Sequence, residues 1–65
     1  MKRLLTVVNH REAMFIIDTR FPRDLFLEPS GGCWIGIDNS TGEARTEEFN
    51  SLRECVAWLR GEDEE

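Results

Sequence analysis

The chain has 65 residues, a formal net charge of −5 and a hydrophobic content of 40%. This length makes one small domain, close to the lower limit at which a hydrophobic core alone stabilises a fold. Because little apolar surface can be spared for a deep cleft, an enzyme with an enclosed pocket is disfavoured. We therefore expect a non-enzymatic protein with no cofactor and no small-molecule substrate.

The negative charge is concentrated in the second half of the chain. Residues 1–30 have a net charge of +1, whereas residues 31–65 have a net charge of −6. Nucleic-acid affinity depends on Lys and Arg side chains that neutralise phosphates, so direct nucleic-acid binding is disfavoured. A basic protein surface is a better partner for such a chain.

Membrane insertion and metal binding are also disfavoured. No segment approaches the roughly 18 apolar residues of a membrane-spanning helix. We expect a cytoplasmic protein in which Cys33 and Cys55 stay reduced. The two cysteines lack the CxxC spacing of a zinc site or redox pair, so we interpret them as core thiols, one on a strand and one on a helix. Whether the two thiols face each other is left open.

The first half of the chain predicts strands and turns. Arg3–Val8 is rich in Leu and β-branched residues and predicts a first strand, which is followed by a turn at Asn9–Glu12. Ala13–Thr19 predicts a second, central strand, because the alternating residues make both of its faces apolar. Phe21-Pro22 ends this strand. Asp24–Glu28 predicts a short third strand.

The second half predicts a hairpin followed by a helix. Cys33–Asp38 and Glu43–Phe49 predict the fourth and fifth strands. The segment S-L-R-E that begins at Ser51 matches a capping box. Apolar residues then recur at i, i+3, i+4 and i+7, which predicts a helix over Leu52–Arg60 with Gly61 as its left-handed end.

These elements together predict a small α+β domain. We expect an antiparallel β-meander of four to five strands with one C-terminal helix packed on one face. Residues 1–61 would form this single domain. Residues 62–65 would form a disordered acidic tail.

The acidic, hydroxyl-rich segment from Asp38 to Glu43 has three possible interpretations. An EF-hand calcium loop that starts at Asp38 would need glycine at its sixth position, but Gly42 is at the fifth. Asn39-Ser40-Thr41 is a formal N-glycosylation sequon, which functions only in an exported protein. We therefore expect a turn at the tip of a hairpin, with Gly42 in the left-handed conformation and solvated acidic side chains.

His10 and Trp34 are the remaining candidates for function. His10 is the only histidine, it lies in a predicted turn and the nearby sequence offers no evident acid or nucleophile partner, so a catalytic role is disfavoured. Trp34 should lie on the sheet face opposite to Cys33 and Ile35. If the helix covers the Cys33–Ile35–Ile37 face, Trp34 lies on the uncovered face. There it is either a partly buried edge aromatic or an anchor for a partner or for self-association.

The second half of the chain resembles short proteins of bacterial prophages and mobile elements. The resemblance rests on Trp34-Ile35-Gly36-Ile37-Asp38-Asn39, Thr41-Gly42, Thr46-Glu47-Glu48-Phe49, Glu54-Cys55 and Trp58-Leu59. Small acidic proteins of this type often bind and block a host protein, and some place carboxylates where the phosphates of a nucleic acid would bind. The resemblance implies no catalytic residues.

Two functional hypotheses follow. The first is a protein-binding module, such as a phage-type inhibitor of a host defence or nucleic-acid-processing protein, with a basic protein surface as its partner. Its predicted contact residues are Trp34, Asp38, Glu43, Glu47, Glu48 and Glu54. The alternative is a structural homo-oligomer, such as a homodimer, that pairs through an exposed strand edge.

Overall fold

The structure, a computed structural model, describes residues 5–61. Its elements are β1 (Leu5–Val7), α1 (His10–Thr19), β2 (Leu25–Ser30), β3 (Cys33–Asp38), β4 (Arg45–Phe49) and α2 (Leu52–Arg60). The strands form one sheet in the order β1-β2-β3-β4, in which β1 is parallel to β2 and the other pairs are antiparallel. The predicted α+β class and the C-terminal helix are confirmed. The sheet, however, is mixed rather than a meander, and a second helix is present.

The two helices cover opposite faces of the sheet. Successive side chains of a strand point to opposite faces. In β2, Phe26 packs in one buried cluster with Ile16 of α1. Its neighbour Leu25 packs in a second cluster with Cys55 and Leu59 of α2. The core therefore consists of two thin apolar layers, one on each side of the sheet.

Helix α1 replaces the turn and the second strand that the sequence predicted over residues 9–19. Asn9 is its N-cap: the Asn9 side chain accepts a hydrogen bond from the backbone N–H of Glu12 at 2.7 Å, and the Glu12 carboxylate accepts one from the backbone N–H of Asn9 at 2.9 Å. This reciprocal capping box fixes the start of the helix. Parallel strands need a long crossover connection, and α1 supplies it between β1 and β2.

Helix α2 has the predicted bounds and packs closely on β3. Ser51 Oγ accepts from the backbone N–H of Glu54 at 3.2 Å, and Gly61 ends the helix with a φ of 72°. A Cβ atom on Gly36 of β3 would lie 3.0 Å from two ring carbons of Trp58 and 3.2 Å from the Cys55 sulfur. Glycine at this position therefore allows the helix to approach the sheet.

The remaining boundaries differ from the predictions by a few residues. The third strand continues to Ser30, and the last strand begins at Arg45 rather than Glu43. Residues 62–65, predicted as a disordered tail, lie outside the described residues, as do residues 3 and 4 of the predicted first strand. Between residues 5 and 61, neither helix has the length and apolar character needed to cross a membrane.

Candidate functional site

Four of the six predicted contact residues lie along one border of the molecule, at the edge strand β4. Glu43 precedes β4, Glu47 and Glu48 lie on it, and Glu54 is in the first turn of α2. All four side chains are exposed. Within residues 5–61, none of these carboxylates lies within 4.0 Å of a basic side chain. We call these four residues the acidic edge.

The acidic edge presents charge on both faces of the sheet. Glu47 is paired with Gly36 of β3 and points to the face that α2 covers, whereas Glu48 is paired with Ile35 and points to the α1 face. Adjacent strand residues on opposite faces cannot act together as an acid–base pair. They can contact a partner that wraps around the edge of the sheet.

A shallow groove adjoins the acidic edge beside α2. It has a volume of about 390 Å³ and is lined by Phe49, Arg53, Glu54 and Ala57. The Phe49 ring lies 5.6 Å from the Trp58 ring, centroid to centroid. The groove therefore combines the apolar surface of Phe49 and Ala57 with one acidic and one basic side chain, Glu54 and Arg53.

Trp34 does not lie on an uncovered face, in contrast to the prediction. It is half-buried, pairs with Phe49 across β3 and β4, and packs against the cluster under α2. Helix α2 covers the Trp34–Gly36 face and not the Cys33–Ile35–Ile37 face, and the absence of a Cβ on Gly36 leaves room for the Trp58 ring. The structure therefore gives Trp34 a packing role beneath the helix.

Asp38 is also used inside the protein. Its Oδ1 accepts hydrogen bonds from the backbone N–H of Ser40 at 3.1 Å and from Ser40 Oγ at 2.7 Å. These bonds form a compact Asx turn at the end of β3. Asp38 is half-buried, so the expectation of a fully solvated acid in this loop is wrong for this residue.

The centre of the loop is Asn39, whose side chain is completely buried at 0% exposure. Its Nδ2 donates to the carbonyl oxygen of Pro22 at 2.8 Å, and its Oδ1 accepts from the backbone N–H of Ala44 at 3.0 Å. Asn39 thereby ties the hairpin to the loop that follows α1. The sequence alone does not reveal this role, because Pro22 is 17 positions away from Asn39.

The turn interpretation of the loop is confirmed. The backbone N–H of Gly42 donates to the Asn39 carbonyl at 3.1 Å, and Gly42 has a φ of 86°. The amide of a glycosylation sequon must be accessible, whereas the Asn39 amide is buried and bonded. No group of three or more potential metal-ligating His, Cys, Asp or Glu side chains comes together among residues 5–61. The absence of a bound metal stays a prediction.

His10 has an acidic partner that the sequence did not reveal. Its Nδ1 lies 3.0 Å from Glu28 Oε2, and the Glu28 side chain is buried in the sheet. In covalent catalysis, a His–carboxylate pair activates a nucleophile such as a cysteine thiol, whose pKa is then lowered. Hydrogen bonding to Glu48, partial burial and the negative charge of Glu48 raise the pKa of the Cys33 thiol, which is opposite to activation.

The two cysteines lie on opposite faces of the sheet and do not face each other. Cys33 is near Glu48 on the α1 face, whereas Cys55 is fully buried under α2. Both thiols are free. Burial also raises the pKa of the Cys55 thiol. The interpretation of both residues as core thiols holds for Cys55, while Cys33 is half-buried.

Comparison with known proteins identifies no relative: no family model, no curated protein and no solved structure matches the chain.

Proposed function

We propose that this protein is a non-enzymatic protein-binding module that docks on a basic protein surface through its acidic edge. The observation that carries this proposal is the set of four exposed carboxylates along one border of the sheet, none of which has a basic side chain within 4.0 Å among residues 5–61. Carboxylates that form no ion pair among the described residues are available to pair with the basic side chains of a partner. The negative electrostatic field of these four carboxylates also steers a positively charged partner into the correct orientation.

The proposed target is a cytoplasmic protein with a basic, nucleic-acid-facing cleft. Such a cleft already carries the Lys and Arg side chains that recognise phosphates. Carboxylates presented on both faces of a narrow strand edge can occupy several of these phosphate positions at once. This class of target agrees with the resemblance to small prophage proteins that block host defence or nucleic-acid-processing proteins.

Pairing of strand edges between two copies is less well supported. Strand β4 has five residues and is an edge of the sheet. If two copies paired around Glu47, the Glu47 side chains would lie directly opposite each other, which is destabilising. Charged residues on an edge strand commonly prevent this association.

A charge-matched pull-down tests the proposal. The acidic-edge variant carries Glu43→Gln, Glu47→Gln, Glu48→Gln and Glu54→Gln. The tail variant, which neutralises Glu62, Asp63, Glu64 and Glu65 as amides, loses the same number of charges elsewhere. Each protein is immobilised and exposed to nuclease-treated bacterial lysate. Captured proteins are then purified and tested for DNA or RNA binding and for direct binding to each immobilised protein.

We expect a captured nucleic-acid-binding protein that binds wild type and the tail variant but not the acidic-edge variant. DNA or RNA should displace it from the wild-type protein. Equal loss of binding in both variants would show that only net charge matters. Full binding by the acidic-edge variant would show that the four carboxylates only solvate the domain.

A further inference from the structure

The outward face of α1 carries an apolar patch that the acidic edge does not explain. Met14 and Phe15, in the middle of the helix, are 48% and 60% exposed. Phe15 also lines an open groove of about 400 Å³ with Val8, Ile16 and Pro22. The solvent side of a short helix is normally polar, and a cluster of exposed large apolar side chains marks a contact surface.

Two charged residues flank this patch. Arg11, Met14, Phe15 and Asp18 follow the i, i+3, i+4, i+7 spacing, so they share one face of α1. Arg11 and Asp18 are separated by about 10 Å along the axis, from a rise of 1.5 Å per residue. Among residues 5–61, neither has an oppositely charged group within 4.0 Å.

The two charges are placed unfavourably for their own helix. Arg11 is in the first turn and Asp18 in the last turn of α1. The helix dipole favours acidic residues near the N-terminus and basic residues near the C-terminus. Within a single chain, Arg11 therefore lies at the positive end of the dipole and Asp18 at the negative end, and both placements are unfavourable.

We propose that the outward face of α1 docks on the same face of a second copy, with the two helices antiparallel and the two-fold axis between Met14 and Phe15. Arg11 of each copy then lies opposite Asp18 of the other. Each of these charges also lies beside the favourable end of the other helix dipole. A parallel arrangement would oppose like charges instead. The outward face of α1 has an apolar centre and opposite charges at its two ends. A two-fold rotation therefore places a complementary surface against it.

This dimer would leave the acidic edge available. Helix α1 covers one face of the sheet near β2, whereas the acidic edge lies along β4 at the border of the sheet. The dimer is therefore independent of the proposed function, and either can fail alone.

Sedimentation velocity over a wide range of protein concentrations tests the dimer. Wild type should change from monomer to dimer as concentration rises, and Phe15→Ser should remain monomeric. Phe21→Ser is the matched control, because Phe21 is 63% exposed but lies outside α1, and it should dimerise like wild type. Circular dichroism on every variant establishes that α1 remains folded.

Charge reversal gives the sharper test. Arg11→Asp or Asp18→Arg alone turns two attractive pairs into repulsive ones, and we expect at least a roughly tenfold larger dissociation constant. The double reversal restores opposite charges and should recover dimerisation in part, since the reversed charges now lie beside the unfavourable ends of the partner's helix dipole. Since each single reversal suits the dipole of its own helix, helix unfolding cannot explain the loss. The proposal would be overturned if wild type stayed monomeric. It would also be overturned if Phe15→Ser and both charge reversals left the dissociation constant of the dimer unchanged.

Discussion

Among single residues, Asn39 stabilises the fold through buried hydrogen bonds, although it lies in a polar loop. Its buried amide satisfies one carbonyl and one N–H from two different loops, and no buried side-chain N or O atom in residues 5–61 is left without a hydrogen-bond partner. A buried polar group is costly to leave unpaired. Asn39 therefore specifies how the hairpin meets the loop after α1.

We expect Asn39→Ala to destabilise the fold by about 2–4 kcal/mol, because it leaves the Pro22 carbonyl and the Ala44 N–H without their partner. Chemical denaturation measures the free energy of unfolding. Ser40→Ala, which removes a partly exposed bond to Asp38, is the control and should cost much less. Equal losses in the free energy of unfolding for the two variants would show that the buried hydrogen bonds of Asn39 stabilise the fold no more than the partly exposed bond of Ser40.

Cys33 should respond to the charge of Glu48. Glu48 raises the pKa of the Cys33 thiol, so its replacement lowers that pKa and increases the thiolate fraction at a given pH. In Glu48→Gln, alkylation of Cys33 should become faster near neutral pH, and its rate profile should move to lower pH. Site-resolved mass spectrometry measures this rate.

Glu47→Gln is the matched control for Cys33, because it makes the same change in net charge on the other face of β4. Its alkylation profile should stay close to that of wild type. An identical shift in both variants would mean that Glu48 has no specific contact with the thiol.

At the scale of elements, local sequence predicts α2 and fails for α1. The S-L-R-E segment and the apolar spacing of α2 are unambiguous, and Gly61 marks its end. In α1, Ala13–Thr19 is rich in apolar residues that fit a strand or a helix equally well. The available local signal was the N-x-x-E capping box of Asn9 and Glu12, which favours a helix.

The buried face of α2 differs slightly from the predicted one. Leu59 is 3% exposed, whereas Leu52 is 43% exposed. Leu59→Ala should cost about 2–5 kcal/mol of stability, and Leu52→Ala should cost far less because its side chain is largely in water. Parallel urea denaturation of the two variants checks this order. A larger cost for Leu52→Ala would mean that α2 is rotated about its axis.

Gly36 allows α2 to pack closely on its face of the sheet. An added methyl group meets the Trp58 ring at 3.0 Å, so Gly36→Ala should cost about 1–3 kcal/mol through overpacking. In a Trp58→Phe background, the contacting ring atoms are absent and the cost should be smaller, as a double-mutant cycle can measure. Additive effects would contradict this close contact.

For the whole molecule, the sequence predicts the four residues of the acidic edge. It does not predict that Trp34 and Asp38 are excluded from it. Glu43, Glu47, Glu48 and Glu54 follow one another along the chain around one strand, so sequence proximity places them together. Trp34 is half-buried by tertiary packing under α2, and Asp38 is occupied by a local turn with Ser40. The glycine in W-I-G-I was the signal that a helix approaches this side of β3.

The binding role of the acidic edge is tested by the association rate of the captured target with wild type, the acidic-edge variant and the tail variant as salt is varied. At physiological salt the Debye length is about 8 Å, so only charges near the contact still steer association. We predict that the wild-type and tail-variant rates fall steeply with salt, whereas the acidic-edge variant is slow and nearly independent of salt. Equal rates for all three proteins would contradict an acidic edge that binds a basic partner.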